Sequence, residues 1–161
     1  MREKKLYTIS VVLCLIDQFV KLIIIHNLEV YQKISVIPSF FSIYYLQNKG
    51  AAFSSFSGKT YLFVIVGIFF LFLLIRYIRK KEKIEKLEMV SLGFILGGIV
   101  GNLIDRIFHQ YVIDYLAFEI LGYSFAVFNI ADMAIVVGCF LLIIECFRGE
   151  NIWKNLNIKN N

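Results

Sequence analysis

Proline is nearly absent: Pro38 is the only one in 161 residues. One proline alongside nine tyrosines suits lipid-embedded helices with interfacial aromatic anchors. Cysteine is also scarce. Cys14, Cys139 and Cys146 lie in apolar runs, with no CxxC pair. An odd count inside helices excludes a disulfide framework, and the three read as small buried hydrophobes. The two histidines, His26 and His109, stand far apart and form no zinc motif, so no metal and no cofactor is expected. Gly/Ser linkers, low-complexity tracts and clear repeats are missing, so residues 1–161 read as a single domain. Acidic residues are outnumbered, 12 against 17 Lys and Arg, for a net charge of +5. The basic residues fall in blocks between apolar runs, which points to orientation in a membrane and away from nucleic acid.

What the chain has is hydrophobicity: 59% apolar residues and a mean hydropathy of +0.73. Four segments reach the roughly 20 apolar residues that a bilayer crossing needs. They are residues 6–26, 60–78, 87–107 and 125–147. The first is read as a retained span, because Asp17 and Lys21 interrupt its end and no small-residue cleavage site follows. Lys and Arg crowd the N-terminal tail, the short second connection and the C-terminal tail. The positive-inside rule therefore expects both termini in the cytoplasm. It expects the first connection, 29–59, and the third to face outward. Residues 36–46, VIPSFFSIYYL, predict one or two short strands at the outer interface, followed by a turn at Asn48-Lys49-Gly50. The expected architecture is a four-transmembrane-helix bundle, all-α apart from a small extracytoplasmic β-platform in the first outer loop.

Ionisable residues inside such spans are costly, roughly 2.5–3.5 kcal/mol at mid-membrane, and are functional suspects. Asp17 and Lys21 are four apart and can pair on one helix face. Gly93, Gly97 and Gly101 make a small-residue stripe that lets another helix approach closely. Asn102 and Arg106 share a face one turn apart, and Asp105 beside Arg106 reads as a structural pair. Asp114, near the outward end of the third segment, and Asp132, about one and a half turns into the fourth with Asn129 on its face, fall at similar depth. Intramembrane acids also occur in proton- or ion-coupled transporters, the alternative class. Transporters, however, tend to carry repeats and broken helices near the midplane.

Five motifs in order resemble the lipoprotein signal peptidase (signal peptidase II) family. Asp17-Gln18-Phe19-Val20-Lys21 is similar to its D-x-x-x-K element, and Asn48-Lys49-Gly50-Ala51-Ala52-Phe53 to N-x-G-A-A-F. Residues 97–106, GGIVGNLIDR, match G-G-x-x-G-N-x-x-D-R. Val112-Ile113-Asp114-Tyr115 corresponds to V-x-D-F with Tyr for Phe, and Phe128-Asn129-Ile130-Ala131-Asp132 to F-N-x-A-D. The resemblance implies an aspartic endopeptidase of the bacterial inner membrane with Asp114 and Asp132 as the catalytic pair. Asn48, Gly50, Asn102, Arg106, Asn129, Asp17 and Lys21 would support the site or bind substrate. The implied partners are membrane lipid and diacylglyceryl-modified prolipoproteins, cut just before the lipidated cysteine by a monomer. The aromatic residues 40–45 and Phe53 are expected to wall a groove for lipid.

Overall fold

The computed structural model describes residues 2–50 and 60–158. Phe53 and the Ala51-Ala52 part of its motif therefore lie outside the described residues. Helices and strands alternate in the order α1 (Arg2–Asn27), β1 (Lys33–Ile37), β2 (Phe41–Asn48), α2 (Thr60–Lys80), α3 (Lys86–His109), β3 (Val112–Ile120), β4 (Tyr123–Ser124) and α4 (Ile130–Ile158). Each helix contains a stretch long and apolar enough to cross a membrane: Glu3–Asn27, Thr60–Lys80, Lys86–His109 and Ile130–Arg148. The chain is a multi-pass membrane protein.

Helix α3 is the hub, packed against α4, α1 and α2. Glycine makes this possible. A Cβ on Gly93 or Gly97 would run into Ile9 or the Ser10 backbone of α1, and one on Gly98 would lie 2.4 Å from the Ala131 carbonyl oxygen of α4. The glycine stripe thus receives α1, while Gly98 beside it receives α4. Helix α2 packs chiefly on α3 and leaves Phe69, Phe70 and Phe72 exposed. Such exposure carries no penalty where the surrounding solvent is hydrocarbon. At the far end of α2, Glu88 closes a reciprocal capping box with Glu85 and accepts bonds from Tyr77 and Lys81, fixing the short connection.

The connections after α1 and α3 are not separate loops. Their strands form one antiparallel sheet in the order β1-β2-β3-β4. The expected strands within 36–46 are present as the β1–β2 hairpin. The third connection holds a nine-residue strand that the sequence reading lacked. Asp114 belongs to that strand and not to an outward continuation of the third helix. Gln110 takes a left-handed conformation (φ 65°) and ends α3, and the β-branched Val112 and Ile113 then pair with Asn48 and Gln47 of β2. Between the pairs Ile43–Leu116 and Leu46–Asp114 the register shifts by one residue, a bulge that bends the sheet beside Asp114.

Two further expectations are corrected. The fourth helix starts at Ile130, not 125, because Phe125 and Phe128 bond back to Phe118 and Leu116 of β3. Asp132 therefore lies in the first helical turn. Of the cysteines, Cys139 and Cys146 are exposed on α4 and only Cys14 is half-buried.

Candidate active site

Asp132 is fixed by its own helix end. Asn129, just before α4, accepts from the Asp132 backbone N–H at 2.9 Å, and the Asp132 carboxylate accepts from the Asn129 N–H at 3.2 Å. This reciprocal cap satisfies two amide donors that a helix start leaves open. It also leaves the Asn129 side-chain NH2 free to reach elsewhere. That group donates to Asp114 Oδ1 at 2.7 Å and to Asn102 Oδ1 at 3.2 Å. Asn102 in turn donates to Asp132 Oδ1 at 2.7 Å. Two amides therefore bridge the two carboxyl groups. Asn48, at the end of β2, donates to the other Asp114 oxygen at 2.8 Å and accepts from the Gly50 N–H at 3.0 Å.

Asp114 and Asp132 line one cavity of about 250 Å³ with Asn48, Gly50, Arg106 and Phe128. Asp114 is almost wholly buried. Burial, and next the charge of Asp132, push its pKa up to about 7, against the hydrogen bonds from Asn48 and Asn129 and the more distant Lys21, which favour the charged form. Arg106 is half-buried at the cavity edge. Its guanidinium lies over the Phe63 ring and donates to the Asn102 carbonyl at 3.4 Å.

Beneath the cavity sits a buried ion cluster. Lys21 pairs with Asp17 and Asp105, both at 2.8 Å, and donates to Asn102 Oδ1 at 3.2 Å. The Asp17–Lys21 pair is thus as expected, but Asp105 joins it and does not pair with Arg106. Neighbours on a helix point about 100° apart, and Asp105 faces α1. Each acid of the cluster holds the backbone just ahead of a cavity aspartate. Asp105 accepts from the Ile113 N–H at 3.1 Å, and Asp17 from the Ala131 N–H at 2.9 Å. Gln18 was overlooked. Its amide donates to Asp105, Asp17 and the Gly101 carbonyl, easing the repulsion of two acids around one lysine. Its spacing of three from Lys21 in an apolar span was the available signal. Tyr115, which stands where the motif has Phe, adds a buried hydroxyl that accepts from the Ile130 N–H at 3.4 Å, at the start of α4.

All nine residues singled out from the sequence fall in or beside this one site. From the cavity an apolar groove descends between α2 and α4 over α3, lined by Phe63, Phe70, Ile99, Leu103 and Ile135, with Asp132 and Arg106 at its polar end.

The helical bundle that carries the two amide-bridged carboxyls at one end is also the architecture of solved membrane enzymes. A bacterial membrane enzyme determined by the in meso method at 2.3 Å superposes with a TM-score of 0.83 and 32% identity, covering 90% of this chain and 88% of that one. A second, at 1.9 Å, gives 0.80 and 33%, covering 89% and 92%. The chain belongs to the signal peptidase (SPase) II family, whose model matches residues 9–148. It is 40% identical to the lipoprotein signal peptidase of Halothermothrix orenii over 147 residues, 91% of this chain and 97% of that one. It is 38% identical to that of Listeria monocytogenes serotype 4a over 150 residues, 93% and 97%. Membership makes it a protease that cleaves signal peptides from prolipoproteins.

Proposed function

We propose that this protein is an aspartic endopeptidase that cuts diacylglyceryl-modified prolipoproteins just before the lipidated cysteine, with Asp114 and Asp132 as its catalytic pair. The observation that carries the reading is the two carboxyl groups lining one cavity and bridged by Asn102 and Asn129. Two such neighbours do not both ionise readily, so the pair holds one proton. The charged member takes a proton from water as its oxygen attacks the peptide carbonyl carbon. The protonated member donates to the carbonyl oxygen. A proton then passes to the leaving nitrogen as the C–N bond breaks, and the pair titrates as a unit throughout. Arg106 and the amide of Asn48 steady the developing oxyanion in this reading. Asp17, Lys21, Asn102 and Asn129 hold the pair in place.

The apolar groove between α2 and α4 suits the signal-peptide helix or the diacylglyceryl chains. Both termini are cytoplasmic in this reading. The sheet and the cavity lie near the extracytoplasmic face, where a lipid-anchored precursor is available. In this reading the chain acts as one membrane-embedded peptidase domain and as a monomer.

Purified wild-type protein in detergent, offered a diacylglyceryl-modified prolipoprotein with chelator present, should release the signal peptide. Asp114→Asn and Asp132→Asn should each fold and lose at least about a thousandfold in kcat, the scale of losing a group that acts only in the transition state. Near-normal cleavage by either folded variant would overturn the assignment.

A further inference from the structure

The sheet carries a second, larger trough, of about 540 Å³, that the chemistry above leaves unused. It crosses all four strands: Lys33 and Ser35 from β1, Ser42 and Tyr44 from β2, Glu119 from β3 and Ser124 from β4 line it. The pairing registers place Lys33 opposite Tyr44, Ser35 opposite Ser42 and Glu119 opposite Ser124, so these side chains sit in adjacent rows. Phe40 and Phe118, packed edge to face, supply an apolar part of its lining.

Two features point to an occupant. The first is its polarity. Four hydroxyls, those of Ser35, Ser42, Tyr44 and Ser124, line it, and Lys33 and Glu119 supply one charge of each sign. The second is continuity. Val127 lines both this trough and the cavity of Asp114 and Asp132. The carboxyl pair thus stands where an apolar groove along the helices meets a hydroxyl-rich trough across the sheet.

We propose that the trough binds the polypeptide of the precursor just downstream of the scissile bond, in extended form, and that Lys33 and Glu119 select among downstream sequences by charge. This rests on the peptidase reading, which assigns the helical groove to the apolar signal peptide or the lipid chains. The segment after the lipidated cysteine leaves the membrane and is polar, and the trough offers donors, acceptors and both charge signs to it. An extended chain with alternating side chains matches the spacing of rows on a sheet.

The test uses the full-length enzyme and diacylglyceryl-modified prolipoproteins with four acidic or four basic residues after the modified cysteine, and a shortened substrate that ends at that cysteine. Lys33→Glu should lower kcat/KM for the acidic substrate by about threefold to fivefold and raise it for the basic one, the scale of a partly exposed ion pair. Glu119→Lys should do the reverse. Ser35→Trp, on the exposed edge strand, should raise KM for both long substrates. None of the three should alter cleavage of the shortened substrate. Equal kcat/KM for acidic and basic substrates with every variant, or equal losses on the shortened substrate, would overturn the proposal while wild-type cleavage continued. Failure of the peptidase reading would show separately, as no cleavage of any substrate by the wild type.

Discussion

At the scale of single residues, the site is governed by amides that each have two jobs. Asn129 caps α4 through its carbonyl and grips Asp114 through its NH2. The Asn102 side-chain oxygen Oδ1 is claimed by Lys21 and Asn129, which leaves its NH2 for Asp132. Asn48 tunes as well as holds. Its bond to Asp114 favours the charged carboxylate, so removing it raises an already high pKa. In the proposed mechanism the acid function disappears when the shared proton is lost, so activity falls as pH rises through that pKa. Asn48→Ala should therefore move the alkaline limb of kcat/KM to higher pH, read from initial rates across a pH series. A limb that stays put or moves down contradicts the role. Lys21→Met leaves two acids buried without their cation. Loss of one partner from a buried ion cluster costs roughly 3–5 kcal/mol, so the variant should melt well below wild type in detergent. Wild-type thermal stability would show the cluster to be dispensable.

At the scale of elements, the question is how a strand and a helix end are held in register. The ion cluster grips Ile113 and Ala131, the residues immediately before Asp114 and Asp132, and Gly98 allows α4 to sit against α3. A side chain at Gly98 meets the Ala131 backbone, which has no rotamer to yield. Gly98→Val should lower kcat by at least about a hundredfold, the typical penalty for misplacing reacting groups by an ångström, while the protein remains folded. Gly67→Ala meets only the flexible Leu103 side chain and should keep near-wild-type rates in the same assay. The helices, the hairpin and the glycine stripe were legible because apolar length, β-branched runs and small-residue spacing are local signals. The nine-residue β3 was not. It lies beyond the apolar third segment, and its strand character depends on pairing with β2, more than 60 residues earlier in the chain. Asp105 was misassigned for the same kind of reason. Adjacency to Arg106 is visible in sequence, whereas Lys21, its partner, arrives by packing of α1.

At the scale of the whole molecule, polarity is sorted by location. Apolar surface covers α2 and α4, an ion cluster is sealed between α1 and α3, and the polar trough lies across the sheet. In the proposed orientation, which follows the placement of the basic residues, Arg79, Lys80 and Lys83 face inward and Lys33 outward. Lys33→Cys in intact cells should accept a membrane-impermeant thiol reagent, and Lys83→Cys only after permeabilisation, in a background without native cysteines. The reverse pattern would invert the orientation. The carboxyl pair stands at the boundary of these regions, shielded enough to keep a proton near neutrality yet joined to both grooves.

The sharpest measurement is an infrared titration of the substrate-free protein in lipid. A protonated carboxyl band should persist far above the ordinary aspartate range of about 4 and vanish with a midpoint near the value of about 7 for Asp114. Asp114→Asn should abolish that transition. Two carboxylates already ionised by about pH 5, or an unchanged band in Asp114→Asn, would contradict the shared proton.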